Sequence, residues 1–146
     1  MSAALLDVNV LIALLDPRHI HHDLAHTWLA ASTPLPWASC PLTENAVLRI
    51  LGHPRYPNSP GPPAVVARLL EGWRNLSRHR FWHDHLSLLT PGVLVGEHLL
   101  DPSQITDAYL LALAVAHGGS LVTLDRRLRP DLVVGGTEAL VLLTGN

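Results

Sequence analysis

LLDVNVLIALL, residues 5–15, sets an aspartate and an asparagine, Asp7 and Asn9, inside a run that is otherwise solidly apolar. A run of this kind reads as protein interior. A carboxylate within it is costly unless it is paired, hydrogen-bonded or held against a cation. Ala3–Leu6 reads as a short buried strand that ends at Asp7. Val8–Leu15 reads as a helix stopped by Asp16-Pro17. Asp7 therefore stands where a buried strand hands over to a buried helix, and it needs a partner from elsewhere in the chain.

Outward from this stretch, the pattern alternates. His22–Ala31 has helical apolar spacing at Leu24, Ala25, Trp28 and Leu29, and Leu35–Ser39 reads as a short strand between prolines. Thr43–Leu51 is expected to be a helix with Thr43 at its start, ended by Gly52 and Pro54. Residues 54–63, PRYPNSPGPP, form a proline-rich loop, and Ala64–Ser77 is the next helix. Phe81–Leu89 stays open between a strand and a turn. Asp101-Pro102 reads as an N-cap and first turn opening a helix through His117, closed by Gly118-Gly119. Ser120–Thr123 and Ala139–Leu143 read as the last strands. Short buried strands alternating with helices predict an α/β fold around a mainly parallel sheet.

Composition narrows the function classes. A chain of 146 residues has the size of one ordinary domain, expected over residues 1–146, with room for a real core. Hydrophobic residues make up 48% and charged residues 15%, which excludes a disordered chain. The net charge of −2 argues against broad coating of nucleic acid, so any such contact has to be local. The single cysteine, Cys40, excludes an intramolecular disulfide and suits a reducing cytoplasm. The apolar N-terminus lacks a basic segment and carries Asp7, so it does not read as a signal peptide. No apolar run reaches the length of a membrane span.

Of the twelve acids, most sit at turns or in polar surroundings: Asp16 and Asp101 precede prolines, and Asp84, Glu97 and Asp131 fall in polar stretches. Four are out of place. Asp7 ends an apolar strand, and Asp125 follows the strand SLVTL. Glu44 shares a helix face with Val47, Leu48 and Leu51, as Asp107 does with Leu110, Leu111 and Ala114. Strand ends and helix beginnings converge, in an open parallel sheet, on the crevice where ligands bind. Carboxylates gathered there repel one another unless a cation intervenes or some take up protons. A hard divalent ion, magnesium or manganese, resolves the repulsion with oxygen ligands and supports phosphoryl chemistry. Each acid taken singly also fits a helix cap or ion pair, and Glu44 also fits a capping role at the first turn of its helix.

The four blocks LLDVNVLIALL, CPLTENAVLRIL, ITDAYLLALAVAHGG and LVTLDRRL resemble the motif blocks of a PIN domain, and more narrowly of a VapC-type toxin from a bacterial toxin–antitoxin pair. The resemblance runs from Leu5 to about Leu143. It implies a three-layer α/β/α sandwich with a mainly parallel central sheet and a metal-dependent endoribonuclease using Mg²⁺ or Mn²⁺. It places the acids on Asp7, Glu44, Asp107 and Asp125, with Asn9 and Thr123 as supporting groups. It also implies a cognate VapB-like antitoxin, an RNA substrate and a homodimer in the bacterial cytoplasm.

Rival readings are weaker. A haloacid-dehalogenase-type phosphatase wants an aspartate where Asn9 stands and a lysine, and a receiver domain wants the same lysine. All ten basic residues here are arginine. No GK[ST] follows a glycine-rich loop, so a P-loop is absent. His22 and His26 lie one helical turn apart but lack the companions of a zinc site. A non-enzymatic alternative is an interaction module whose acidic crevice binds a partner's arginine. RHRFWHDH, residues 78–85, interleaves Arg78, Arg80 and Trp82 as single-stranded RNA binding would want, and Arg126, Arg127 and Arg129 follow Asp125. Either cluster equally fits a solvated charged face.

Overall fold

The computed structural model describes residues 2–96 and 101–145; Glu97 lies outside them. Five short strands, β1 (Ala4–Leu6), β2 (Trp37–Ser39), β3 (His79–Phe81), β4 (Ser120–Thr123) and β5 (Leu140–Leu142), form one sheet in the order β3-β2-β1-β4-β5. Every pairing is parallel, with Ala4 opposite both Trp37 and Ser120. Four helices, α1 (Val8–Leu15), α2 (His22–Ala31), α3 (Pro41–Leu51) and α4 (Pro63–Arg74), connect β1, β2 and β3; α5 (Ile105–Ala116) precedes β4 and α6 (Gly136–Ala139) precedes β5.

Two cores lie on the two sides of the sheet. Ala4, Leu6, Trp37 and Val122 pack with α1 to α4. Ala3, Leu5, Ala38 and Leu121 pack with α5 and α6. Successive strand residues thus enter opposite layers, which is why these strands are apolar at every position rather than at every second one. The three-layer arrangement and the parallel sheet agree with the expectation. Helix α1 buries Val10 through Leu14, as a helix apolar on all sides must. Among the described residues no helix is long and apolar enough to cross a membrane.

Several boundaries differ from expectation. Helix α3 begins at Pro41, not Thr43; proline fits the first helical position because its missing N–H has no partner there. Thr43 lies in the first turn and its Oγ1 accepts from the Cys40 N–H at 3.0 Å. Pro63, expected in the loop, opens α4 in the same way. Strand β3 starts at His79 and ends at Phe81, where the stretch left open begins, because this half-exposed edge strand carries no strong apolar signal. Asp101 does cap a first turn, with its carboxylate accepting from the Ser103 N–H, but that turn is 3-10 and α5 starts only at Ile105. Gly118 ends this helix at φ +65°, in the left-handed region that glycine enters freely. At Gly119 a Cβ would collide with the Ala3 carbonyl, so the chain needs glycine to re-enter the sheet.

Candidate active site

The strand order reverses direction at the β1–β4 junction, and a parallel sheet opens a crevice at the carboxyl ends of the strands flanking such a junction. Asp7 is the first residue beyond β1. Its N–H donates to the Val122 carbonyl at 2.9 Å, and its Oδ1 accepts from the Val8 N–H at 2.7 Å as the N-cap of α1. One residue thus ends a strand and starts a helix, and it does so while only 5% exposed.

Thr123, the last residue of β4 and wholly buried, ties the junction together. Its hydroxyl donates to Asp7 Oδ2 at 2.7 Å, and accepts from Asn9 Nδ2 at 3.3 Å and from the Asp125 N–H at 3.1 Å. Asn9 Oδ1 in turn accepts from the Leu124 N–H at 3.1 Å. Asp7, Asn9, Thr123 and the backbone leading to Asp125 therefore form one hydrogen-bonded frame across the two strands.

Asp107 enters from the first turn of α5. Burial, reinforced by the charges of Asp7 and Asp125, pushes its carboxyl up to about 6, with Arg127 pulling weakly the other way. Asp7 is also raised, mainly by burial and further by Asp125, against the lowering effect of its bonds to Thr123 and Val8. Three carboxylates thus share a partly dry space with more negative charge than the protein neutralises. Arg127 Nε reaches Asp125 Oδ1 at 3.5 Å, but this arginine is 93% exposed and such a pair is worth little. The oxygen-only donor set and the uncompensated charge fit a hard divalent cation. Among the described residues no three His, Cys, Asp or Glu side chains close together around one ion, so these acids would hold a cation partly through water.

Glu44 stands apart from this group. Its Oε2 accepts from Ser39 Oγ at 2.6 Å and its Oε1 from Arg74 Nη1 at 3.3 Å. Because Ser39 spends its only proton on Glu44, His79 Nε2–H donates to Ser39 at their 2.8 Å contact. Burial and the charges of Arg74 and Arg80 hold His79 down at about 4, so the ring is neutral at pH 7. The structure brings Asp7, Asp107 and Asp125 into electrostatic contact and turns the Glu44 carboxylate toward Ser39 and Arg74. Sequence reasoning missed Ser39, Arg74 and His79. Ser39 was accessible in principle, because it ends β2 as Asp7 follows β1.

Two expected RNA contacts are corrected. Arg78 is spent on the fold: its guanidinium donates to the Leu35 and Leu29 carbonyls and to Ser32 Oγ, at 2.8 to 3.3 Å. Trp82 is 6% exposed and stacks on His117 with ring centroids 4.1 Å apart, leaving no face for a base. Arg80 is exposed, but it sits on β3 against the Ser77 and His79 carbonyls, two strands from β1. Arg126 and Arg127 are exposed beside Asp125. His22 and His26, set aside as zinc ligands, hydrogen-bond the Ala13 and Leu14 carbonyls at the end of α1.

One acid placed at an ordinary turn is buried. Asp16, at the far end of α1, is 2% exposed and accepts from Tyr56 Oη at 2.6 Å, Asn58 Nδ2 at 3.1 Å and the Arg18 N–H at 2.9 Å. It pins the proline-rich loop.

Known proteins agree with this architecture. The PIN domain matches residues 4–130. Ribonuclease VapC44 of Mycobacterium tuberculosis is 44% identical over 135 residues, covering 92% of this chain and 94% of that protein. Ribonuclease VapC39 of the same organism is 36% identical over 137 residues, covering 94% and 99%. The crystal structure of Mycobacterium tuberculosis VapC20, a sarcin-ricin loop cleaving toxin, superposes with a TM-score of 0.59 at 16% identity, covering 86% of this chain and 92% of that one. VapBC2 from Rickettsia felis, bound to a promoter DNA fragment, gives 0.58 at 13% identity, covering 97% and 99%. With a matched domain over most of its length and ribonucleases of this type as relatives, the chain belongs to the PIN-domain family, within the VapC ribonuclease toxins.

Proposed function

We propose that the chain is a magnesium- or manganese-dependent endoribonuclease that hydrolyses RNA phosphodiester bonds at the Asp7–Asp107–Asp125 group. The observation that carries this reading is the strand junction itself, where Thr123 and the Val8 N–H orient Asp7 just beyond β1, Asp125 follows β4 and Asp107 stands in the first turn of α5, their charges adding to burial in pushing Asp107 up to about 6. A bound divalent ion supplies Lewis-acid stabilisation of the phosphoryl oxygens and an activated water. Asp7, Asp107 and Asp125 are the residues to hold it, directly or through water.

The chain's own groups do the rest. Thr123 and the Val8 N–H fix both oxygens of Asp7, so its carboxylate is oriented before any ligand arrives. Asn9 keeps Thr123 and the Leu124 backbone in register. Glu44, held by Ser39, orders water at the rim of the crevice. Arg126 and Arg127 neutralise a phosphate next to Asp125. The antitoxin belongs to the same proposal: a cognate VapB-like partner would set an arginine against the acids, as Arg74 already stands against Glu44. The active form is a homodimer in the bacterial cytoplasm.

The test is cleavage of total RNA by the purified chain. Activity is expected with added magnesium or manganese and none with a chelator; chelator-resistant cleavage would overturn the mechanism. Light scattering checks the dimer. Co-expression with the neighbouring small gene checks the antitoxin, which should relieve growth arrest.

A further inference from the structure

We infer that single-stranded RNA leaves the crevice along one face of α3 and is held by Arg49 and Arg55, a cleft pinned in place by the buried Asp16. This rests on the ribonuclease reading above and names a path for its substrate.

Two adjoining hollows carry the inference. The first, of about 280 Å³, has Val8 and Thr106 in its wall, the chain neighbours of Asp7 and Asp107, together with Leu42, Asn45, Ala46 and Arg49. The second, of about 360 Å³, is lined by Arg49, Ile50, His53, Arg55, Tyr56 and Pro57. They meet at Arg49. Leu42, Asn45, Ala46 and Arg49 recur at helical spacing, so one face of α3 runs away from the acids for about 10 Å. It then continues into His53 and Arg55.

Charge selects the occupant. The crevice itself is acidic, so a polyanion needs cations on its approach if it is to be held there. Arg74 is engaged with Glu44, Arg78 with carbonyls and Arg129 with Asp131, while Arg126 and Arg127 lie beside Asp125 at the acids themselves. Arg49 and Arg55 are exposed, and among the described residues neither guanidinium has an acceptor. The apolar stretch between them, with the Tyr56 ring, suits nucleobases, and the two guanidinium groups suit phosphates.

The cleft is built in advance. A proline-rich loop of this kind would ordinarily be mobile, but Tyr56 Oη and Asn58 Nδ2 both donate to the buried Asp16 carboxylate. Arg55 is therefore presented from an anchored backbone, which lowers the ordering cost of binding.

The experiment uses the Asp107→Asn chain, which is expected not to cut RNA, titrated in a chelator against a fluorescein-labelled ten-nucleotide single-stranded RNA of mixed sequence. Arg49→Ala and Arg55→Ala, each added to it, should weaken binding several-fold, and the slope of log affinity against log salt should fall by about 0.7 for each arginine removed. Both side chains are exposed, so melting temperatures should not move, which separates lost contacts from lost fold. Three results would each overturn the proposal: no binding by Asp107→Asn, unchanged affinity in the double-arginine variant, or equal competition by an acidic peptide, which would make the cleft a polypeptide site. If the parent chain cuts no RNA yet these arginines govern binding, the catalytic reading fails and the path stands. If the parent cuts and the double variant binds as well as its background, the path fails alone.

Discussion

Helix α1 has a buried aspartate at each end, and the two behave in opposite ways. Asp16 is satisfied by neutral donors, a phenol, an amide and a backbone N–H, which together hold its carboxyl below the ordinary range despite the opposing effect of burial. Asp7 has a hydroxyl and one N–H, faces other acids, and is raised. Burial alone therefore does not mark a functional acid. What marks Asp7 is that its surroundings add negative charge where those of Asp16 add donors. A carboxylate fully served by its own fold has nothing left to bind.

The largest expected effect follows from that contrast. Asp7→Asn and Asp107→Asn should each lower RNA cleavage by about a thousandfold or more, because they remove charge from the proposed cation site with almost no change in volume. Asp16→Ala should leave cleavage at saturating RNA close to that of the parent, weaken RNA binding by releasing the loop that presents Arg55, and destabilise the fold by about 2–3 kcal/mol, since Tyr56 and Asn58 lose their acceptor. Cleavage assays and denaturant unfolding on the three variants test this; loss of stability without loss of activity in Asp7→Asn would reverse the assignment.

Thr123→Val should fall next. It keeps shape, removes the hydroxyl that joins Asp7, Asn9 and the Asp125 N–H, and should slow cleavage by about 10- to 100-fold. Steady-state rates at saturating metal check it.

The acids of the crevice and the acid at the far end of α1 should also respond to pH with opposite sign. Asp107 shares the raised environment of Asp7. Between about 3.8 and about 6 the native state holds a proton on it that the unfolded state has released, so without metal its contribution to stability falls as pH rises through that window. Asp16 is lowered, so its contribution is present above its ordinary range near 3.8 and is lost as pH falls below it. Melting temperature against pH should therefore lose its decline from about 4 to 6 in Asp107→Asn and lose its acid-side drop in Asp16→Asn. In the same window, metal-dependent activity should rise toward pH 7 as Asp107 gives up its proton. The smallest effect is Tyr56→Phe, which removes one of three donors to Asp16 and should cost about 1 kcal/mol in unfolding measurements.

Much of this was legible in the residues because it rests on local rules. A strand of all-apolar residues ending in an acid, followed by a helix apolar at every position but Asn9, reads as a doubly covered parallel strand and a buried helix, and the bounds of α1 and β4 match their patterns. Edge strand β3 was missed because one face meets water and its pattern is mixed. The RHRFWHDH run shows the limit of composition. It fits nucleic-acid binding and a solvated charged face alike, yet Arg78 caps carbonyls and Trp82 lies in the core.

The sequence by itself determined the parallel α/β class, the strand and helix that frame Asp7, and the four acids out of place, since periodicity and the cost of burying charge act within a few residues. Only the tertiary structure decided which acids share one space, that Glu44 faces Ser39 and Arg74, and that Asp16 is an anchor. It also decided which arginines are left unengaged among the described residues. The physical reason is distance along the chain. Asp7 meets Thr123 across 116 positions and Asp16 meets Tyr56 across 40, and pairings of that length depend on how the whole sheet closes.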